Sequence, residues 1–224
     1  MRPLEAELRH GLSALALDLS ELQVTQLLDY LALIEKWTKV YNLTAVRDPA
    51  EMLTHHLLDS LTVIAPLRRE LARRQGQAPA SPTRLLDVGS GAGLPGIVMA
   101  ICCPELAVDC VDTVAKKAAF IRQVAATLRL PNLRGLHARV ESLTDKYAVI
   151  SSRAFASLPD FTAWSAQALA PDGVWLAMKG KPPLDEIAAL APGVQVLAQE
   201  PLSVPGLAVQ RCIVWLCPRI ETAV

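Results

Sequence analysis

A chain of 224 residues has room for one sizeable α/β domain plus a small appendage. With 52% hydrophobic and 20% charged residues, it lacks the makeup of a disordered polypeptide. Its 22 basic and 22 acidic residues cancel, which excludes a wholesale electrostatic hold on nucleic acid and leaves only local charge to supply one. In chain order, residues 1–74 read as a helical extension. Leu4, Leu8, Leu12 and Leu15 recur at helical intervals. Ser20 offers an N-cap for a second helix carrying Leu27, Leu28, Leu31, Ile34 and Trp37, which should stop near Tyr41-Asn42. After a polar loop, Asn42 to Arg47, the run Asp48-Pro49-Ala50-Glu51 predicts a third helix, with an N-cap aspartate and proline at its first position. That helix carries His55, His56, Asp59 and Leu61 before Pro66 disturbs it. The histidines and aspartate admit a metal or acid–base role. They also admit a packing role, with one histidine solvated and the other held by Asp59.

Residues 75–83 are a linker by composition, rich in Pro, Gly, Ala and Gln. From 84 to 224 the chain alternates between extended and helical patterns. Strands are expected at Arg84 to Val88, Leu106 to Asp112, Leu133 to Val140, Ala148 to Ser151, Val174 to Met178, Val194 to Ala198 and Arg211 to Leu216. Helices are expected at Leu94 to Cys103, Thr113 to Leu130, Pro159 to Leu169 and Leu184 to Leu190. This order predicts a seven-stranded, mainly parallel sheet wrapped by helices, with the last two strands as an antiparallel hairpin at its edge. Arg2, Glu5, Glu7 and Arg9 do not resemble a secretory signal, and no run reaches the roughly 18 apolar residues of a membrane span. A cytoplasmic protein with no membrane association is expected. Its five cysteines, Cys102, Cys103, Cys110, Cys212 and Cys217, fall in apolar runs without a Cys-x-x-Cys pair. They read as reduced core residues rather than metal ligands.

The stretch Leu85-Leu86-Asp87-Val88-Gly89-Ser90-Gly91-Ala92-Gly93-Leu94-Pro95-Gly96 concentrates the chemistry. A buried strand breaking into glycines before a helix brings backbone close to a ligand at the carboxyl end of a sheet. Gly91-x-Gly93-x-x-Gly96, with Asp112 about twenty residues on, satisfies a dinucleotide fingerprint. Asp87, two residues before Gly89, would repel a pyrophosphate but suits an ammonium or sulfonium ligand such as S-adenosylmethionine. Asp112 is placed to accept both hydroxyls of a ribose, and equally to cap the helix that follows. Other positions just past strands are Val140-Glu141, Ser152-Arg153 and Lys179. From Lys116 to Arg153, eight basic residues stand against two acidic ones, a local flank able to meet phosphates. The fourth strand is not followed by Asn/Asp-Pro-Pro-Tyr/Phe, as methylation of an adenine amino group would need. Nor does a cysteine stand there for attack through a pyrimidine carbon. An aromatic ring nitrogen with a free lone pair needs neither, only orientation and desolvation.

Taken together, Trp37-Thr38-Lys39-Val40-Tyr41-Asn42-Leu43-Thr44-Ala45-Val46-Arg47-Asp48, His56-Leu57-Leu58-Asp59-Ser60-Leu61, the Asp87 to Gly96 loop, Lys116-Lys117, Ser152-Arg153-Ala154 and Lys179-Gly180 resemble the RsmG (GidB) family of bacterial small-subunit ribosomal RNA methyltransferases. The resemblance runs from the second helix to about Lys181. It implies a Rossmann-like class I S-adenosylmethionine-dependent methyltransferase fold and transfer of a methyl group to N7 of one guanine in 16S rRNA. By matching motifs it implies cofactor contacts at Gly89, Leu94, Val140, Glu141 and Arg153, with Asp112 on the ribose. Asp87, Gly91 and Gly93 complete the expected cofactor set. Asn42, His56, Arg153 and Lys179 would position the RNA or target base. The implied partner is 16S rRNA or a small-subunit particle, met by a monomer without a metal. Thr38 departs from the family's asparagine, and the linker is longer than the family's. Two alternatives remain at this point: a nicotinamide-dependent oxidoreductase, from the glycine spacing, and a non-catalytic RNA-binding assembly factor.

Overall fold

The computed structural model describes residues 3–75 and 82–219. Most of the expected linker therefore lies outside the described residues. Helix α1 spans Pro3–Ala14 and α2 Glu21–Tyr41. Ser20 caps α2 as expected: its hydroxyl accepts from the Gln23 N–H while the Gln23 side chain accepts from the Ser20 N–H, a reciprocal box that satisfies two otherwise orphaned donors. Asn42 ends α2 in the left-handed conformation, φ 52.

The expected third helix is not continuous. It consists of α3, Pro49–Met52, a π-helical turn, Leu53–Leu58, and α4, Asp59–Leu61. Pro66 does not end helical structure, because it sits in the first turn of α5, Ile64–Gln75, where its missing N–H matters least. The π turn, with its wider i→i+5 spacing, is an irregularity that hydrophobic periodicity alone does not announce. His56 and Asp59 are both buried where it meets α4.

The sheet contains seven strands: β1 Arg84–Val88, β2 Ala107–Asp112, β3 Leu133–His137, β4 Tyr147–Arg153, β5 Leu169–Lys179, β6 Val194–Leu202 and β7 Arg211–Pro218. Their order is β3-β2-β1-β4-β5-β7-β6. The first five are parallel, and β7 runs antiparallel to both β5 and β6. The expected hairpin forms, with β7 inside the sheet and β6 at its edge. The helices of this part are α6 Gly96–Cys102, α7 Ala115–Thr127, α8 Leu158–Ser165 and α9 Leu184–Ala188.

Side chains alternate along each strand, and the core divides accordingly. Leu85, Val108, Val149 and Leu176 pack against α6, α7 and the amino-terminal helices in one cluster, whereas Leu86, Val111, Ile150 and Ala177 join α8 in another. The extension shares the first cluster with the sheet, and its polar side chains are tied there too. Tyr30 Oη donates to the Ala92 carbonyl at 2.7 Å, and Gln23 Nε2 to that of Ile101 at 2.8 Å. Four of the five cysteines are buried and all are free; burial pushes the Cys103 thiol up to about 11. No described helix is long and apolar enough to cross a membrane. The order of strands reverses between β1 and β4, from β1-β2-β3 on one side to β4-β5 on the other, so a crevice opens beyond the carboxyl ends of those parallel strands.

Candidate functional site

Beyond β1 the main chain folds back on β2. The N–H groups of Gly89 and Ser90 donate to the Val111 carbonyl at 3.0 and 3.3 Å, and the Gly91 N–H donates to Asp112 Oδ2 at 3.0 Å. Gly93 holds φ 86, and a Cβ built on it would lie 2.3 Å from Ile97 Cδ1, so only glycine fits this close turn onto α6. Asp87 does not face the crevice. It is fully buried, with Oδ2 accepting from the Gly96 N–H at 3.1 Å and Oδ1 from the Ser151 hydroxyl at 2.9 Å. Burial lifts its carboxyl to about 7, against the pull of those two hydrogen bonds. Its place is behind the glycine loop, anchoring α6, rather than beside a cation.

Two cavities meet at this loop. The first, about 480 Å³, is lined by Gly89, Gly91, Leu94, His56, Arg153 and Lys179 together with Thr44, Asp59, Met178 and Arg211. The second, about 360 Å³, is lined by Gly89, Val111, Asp112, Lys117, Val140, Glu141, Phe155 and Trp164. Expected site residues therefore converge from distant parts of the chain, but Asp87, Gly93 and Asn42 line neither cavity. Asn42 instead accepts from Arg47 Nη2 at 2.7 Å, so it shapes the loop that delivers Leu43 and Thr44 to the first cavity. Thr38 is buried inside α2, and its carbonyl accepts from Arg47 Nη1.

In the second cavity each Asp112 oxygen already accepts one main-chain N–H, Oδ2 from Gly91 and Oδ1 from Val114. A carboxylate oxygen takes two donors, so capacity remains on both. Helix capping thus leaves Asp112 able to accept from a ligand as well. The Glu141 carboxyl is held below the usual range by its own main-chain N–H and by Arg139, which donates to it at 2.9 Å.

The first cavity is built from charge. Asp59, 4% exposed, accepts from Arg153 Nη1 at 2.8 Å and from Arg211 Nε at 2.9 Å. Arg153 also donates to the His55 carbonyl at 3.1 Å. Two guanidiniums on one carboxylate leave a positive excess, with both side chains fixed in direction. Lys179 Nζ donates to the Ala156 carbonyl at 2.9 Å and to Glu186 at 2.7 Å. His56 is not held by Asp59, as the packing alternative had it. Its Nε2 pairs with Thr44 Oγ1 at 2.8 Å, and its buried Nδ1 has no hydrogen-bond partner among the described residues. Burial, and then the charge of Arg153, lower its pKa to about 4, so the ring is neutral at physiological pH.

Arg211 and Thr44 are site residues that reasoning from strand ends did not single out. Ligands lie beyond the carboxyl ends of parallel strands, but β7 runs the other way and brings its amino end to the crevice. The predicted hairpin joined β7 only to β6, whereas it is the antiparallel pairing of β7 with β5 that sets Lys179 opposite Cys212, beside Arg211.

Residues 23–214 match the family described as rRNA small subunit methyltransferase G. The chain belongs to that family. Relatives named ribosomal RNA small subunit methyltransferase G include one from Albidiferax ferrireducens, 69% identical across 96% of this chain and 98% of the relative. Another, from Methylibium petroleiphilum, is 58% identical across 93% of this chain and 92% of the relative. Among solved structures, a SAM-dependent methyltransferase from Aquifex aeolicus is 13% identical, with a TM-score of 0.51 over 78% of this chain and 96% of that one. TrmN from Thermus thermophilus is 20% identical, with a TM-score of 0.51 over 67% of this chain and 48% of its own. These likenesses show that the fold is that of S-adenosylmethionine-dependent methyltransferases. Membership of the methyltransferase G family favours neither the nicotinamide enzyme nor the non-catalytic scaffold.

Proposed function

We propose that this chain is a monomeric, cytoplasmic enzyme that transfers a methyl group from S-adenosylmethionine to N7 of a guanine in 16S rRNA, presented free or within a small-subunit particle. The observation that carries the reading is the meeting at Gly89 of a cavity that offers the Asp112 and Glu141 carboxylates, with Lys117 and Arg139 beside them, and one where Arg153, Arg211 and Lys179 surround the single buried carboxylate of Asp59. The first kind suits the uncharged ribose hydroxyls and base of the donor, and the second an RNA nucleotide.

The donor fits on the chemistry of the residues present. Asp112 and Glu141 offer the carboxylates for ribose hydroxyls, Val111 and Val140 the apolar walls for a base, and Gly89 and Gly91 backbone without a side chain in the way. Leu94 and Arg153 lie on the side toward the other cavity. When bound, S-adenosylmethionine supplies a methyl carbon made electrophilic by its sulfonium.

Guanine N7 carries its own lone pair in the ring plane, so no side chain has to remove a proton before it attacks. The residues of the first cavity then act by orientation. Arg153, Arg211 and Lys179 are donors that suit guanine O6 or flanking phosphates. Neutral His56, held by Thr44, adds shape without another positive charge. Fixing the base against the donor while excluding water accounts for the rate enhancement without general acid–base chemistry. Asp87 acts through the loop it anchors, and Asn42 through the loop that carries Thr44.

Supplying isotope-labelled S-adenosylmethionine with unmodified 16S rRNA or 30S particles tests this directly. Label should map to N7 of one guanine. No label in RNA, or label on another atom, overturns the reading.

A further inference from the structure

Among the described residues, only Gly89 and Ala154 line both cavities. At that junction the ring of Phe155 rests against Gly89: a Cβ built on the glycine would lie 2.1 Å from Phe155 Cδ2 and 2.9 Å from Cε2 and Cγ. Its aromatic neighbours meet it edge-on, Trp164 at 5.8 Å between centroids and 79° between planes, and Phe161 at 6.5 Å and 81°. Trp164 is itself 42% exposed, so the packing on that side is open to solvent. Ala154, just before the ring, holds φ 51, a left-handed backbone that alanine rarely adopts.

We propose that Phe155 is a movable partition between the cavities, and that a donor reaching from Asp112 to the Arg153 side must displace its ring from Gly89. This rests on the S-adenosylmethionine reading above and adds to it a residue that controls entry of the donor. The argument is steric. The missing side chain at Gly89 leaves one slot, which the Phe155 ring now fills and which a spanning ligand also needs. Both cannot have it. A ligand confined to the second cavity, which Phe155 lines, does not have to pass over Gly89 and so does not meet that conflict. The strained Ala154 is the place where a small backbone rotation would swing the ring, since releasing a left-handed alanine opposes little of the motion. A ligand that binds only the uncovered state is weakened and slowed by the fraction of time the ring is away.

The test compares two ligands on the full chain and on Phe155→Ala and Phe155→Leu, the leucine retaining apolar bulk should alanine destabilise the protein. On the donor reading S-adenosylhomocysteine would span both cavities and adenosine would occupy only the second. Association rates come from stopped-flow tryptophan fluorescence, and affinities from calorimetry. Phe155→Ala should accelerate S-adenosylhomocysteine association by at least about threefold and leave adenosine within about twofold of wild type, with Phe155→Leu between. Equal S-adenosylhomocysteine rates in all three proteins, or equal acceleration of both ligands, would overturn the partition while leaving the donor reading in place. Weaker S-adenosylhomocysteine binding without faster association would also overturn it, by assigning the ring to packing on the ligand. If neither ligand binds the wild type, the donor reading fails first and takes the partition with it.

Discussion

The cavity beside Asp112 and the cavity beside Arg153 share a wall but are built by opposite means. One rests largely on main chain, with Gly89 following β1 and the Gly91 and Val114 N–H groups holding Asp112, while Val140, Glu141 and Trp164 close it. The other depends on side chains gathered from far apart: Arg153 lies 94 residues from Asp59, and Arg211 lies 152. The main-chain half holds while its glycines leave room for the turn. The side-chain half holds only while one buried carboxylate keeps two guanidiniums in place. On the proposed function the first takes up the donor and the second handles RNA, and substitutions should separate the two.

The largest effect is expected from Gly93→Asp. Any Cβ there meets Ile97 in a backbone conformation that disfavours side chains, so the loop must move and donor uptake should be abolished. Calorimetry with S-adenosylhomocysteine checks this, and unchanged affinity would break the claim that main chain makes that half. Asp59→Ala comes next. Leaving Arg153 and Arg211 without their carboxylate should cost about 3 kcal/mol of stability and abolish transfer to RNA. Affinity for adenosine, which on the partition argument stays in the cavity beside Asp112, should remain within about threefold of wild type on the additivity expected of separate sites. A parallel loss of adenosine binding would merge the two halves into one.

A third expectation uses one titrating group from each half. Asp87 keeps its proton up to about pH 7 in the folded protein but sheds it near 4 when unfolded, so its contribution to stability falls as pH rises through that window. His56 stays neutral down to about pH 4 when folded but gains a proton near 6.5 when unfolded, so its contribution falls as pH drops. The two slopes, each about 1.4 kcal/mol per pH unit, oppose one another between roughly pH 4 and 6.5. Denaturant titrations should therefore find stability rising with pH in Asp87→Asn and falling with pH in His56→Gln. Identical profiles for the two variants would sink the assignment. The smallest effect concerns salt. Of the eight cations from Lys116 to Arg153, Lys117, Arg134, Arg139 and Arg153 face carboxylates. The remaining four support a log–log slope of RNA affinity on salt of about −3, and a flat response would remove the flank from the RNA surface.

These halves were also unequally legible in the sequence. The β1 strand, Arg84–Val88, matched its predicted bounds, and Ser20, Asn42 and Asp48 marked helix ends where expected, because caps and apolar runs are local. The β5 strand was predicted only from Val174, whereas it begins at Leu169, since Asp172 and Gly173 read as a turn. The π turn at Leu53–Leu58 was invisible for a different reason. Periodicity there fits an ordinary helix, and the packing that selects the wider turn comes from elsewhere in the fold. Within the site, glycines and Asp112 could be placed from spacing alone. The inward turn of Asp87 could not, because the hydroxyl it accepts belongs to Ser151 on a neighbouring strand. Arg211 was hidden by strand direction.

The reversed course of β7 has a consequence for biosynthesis. Because Arg211 is the second guanidinium on Asp59, a growing chain has the donor loop long before it has the finished charge arrangement. Until that late strand leaves the exit tunnel and slots between β5 and β6, the newborn polypeptide cannot present its complete electrostatic face to the ribosomal RNA surrounding it.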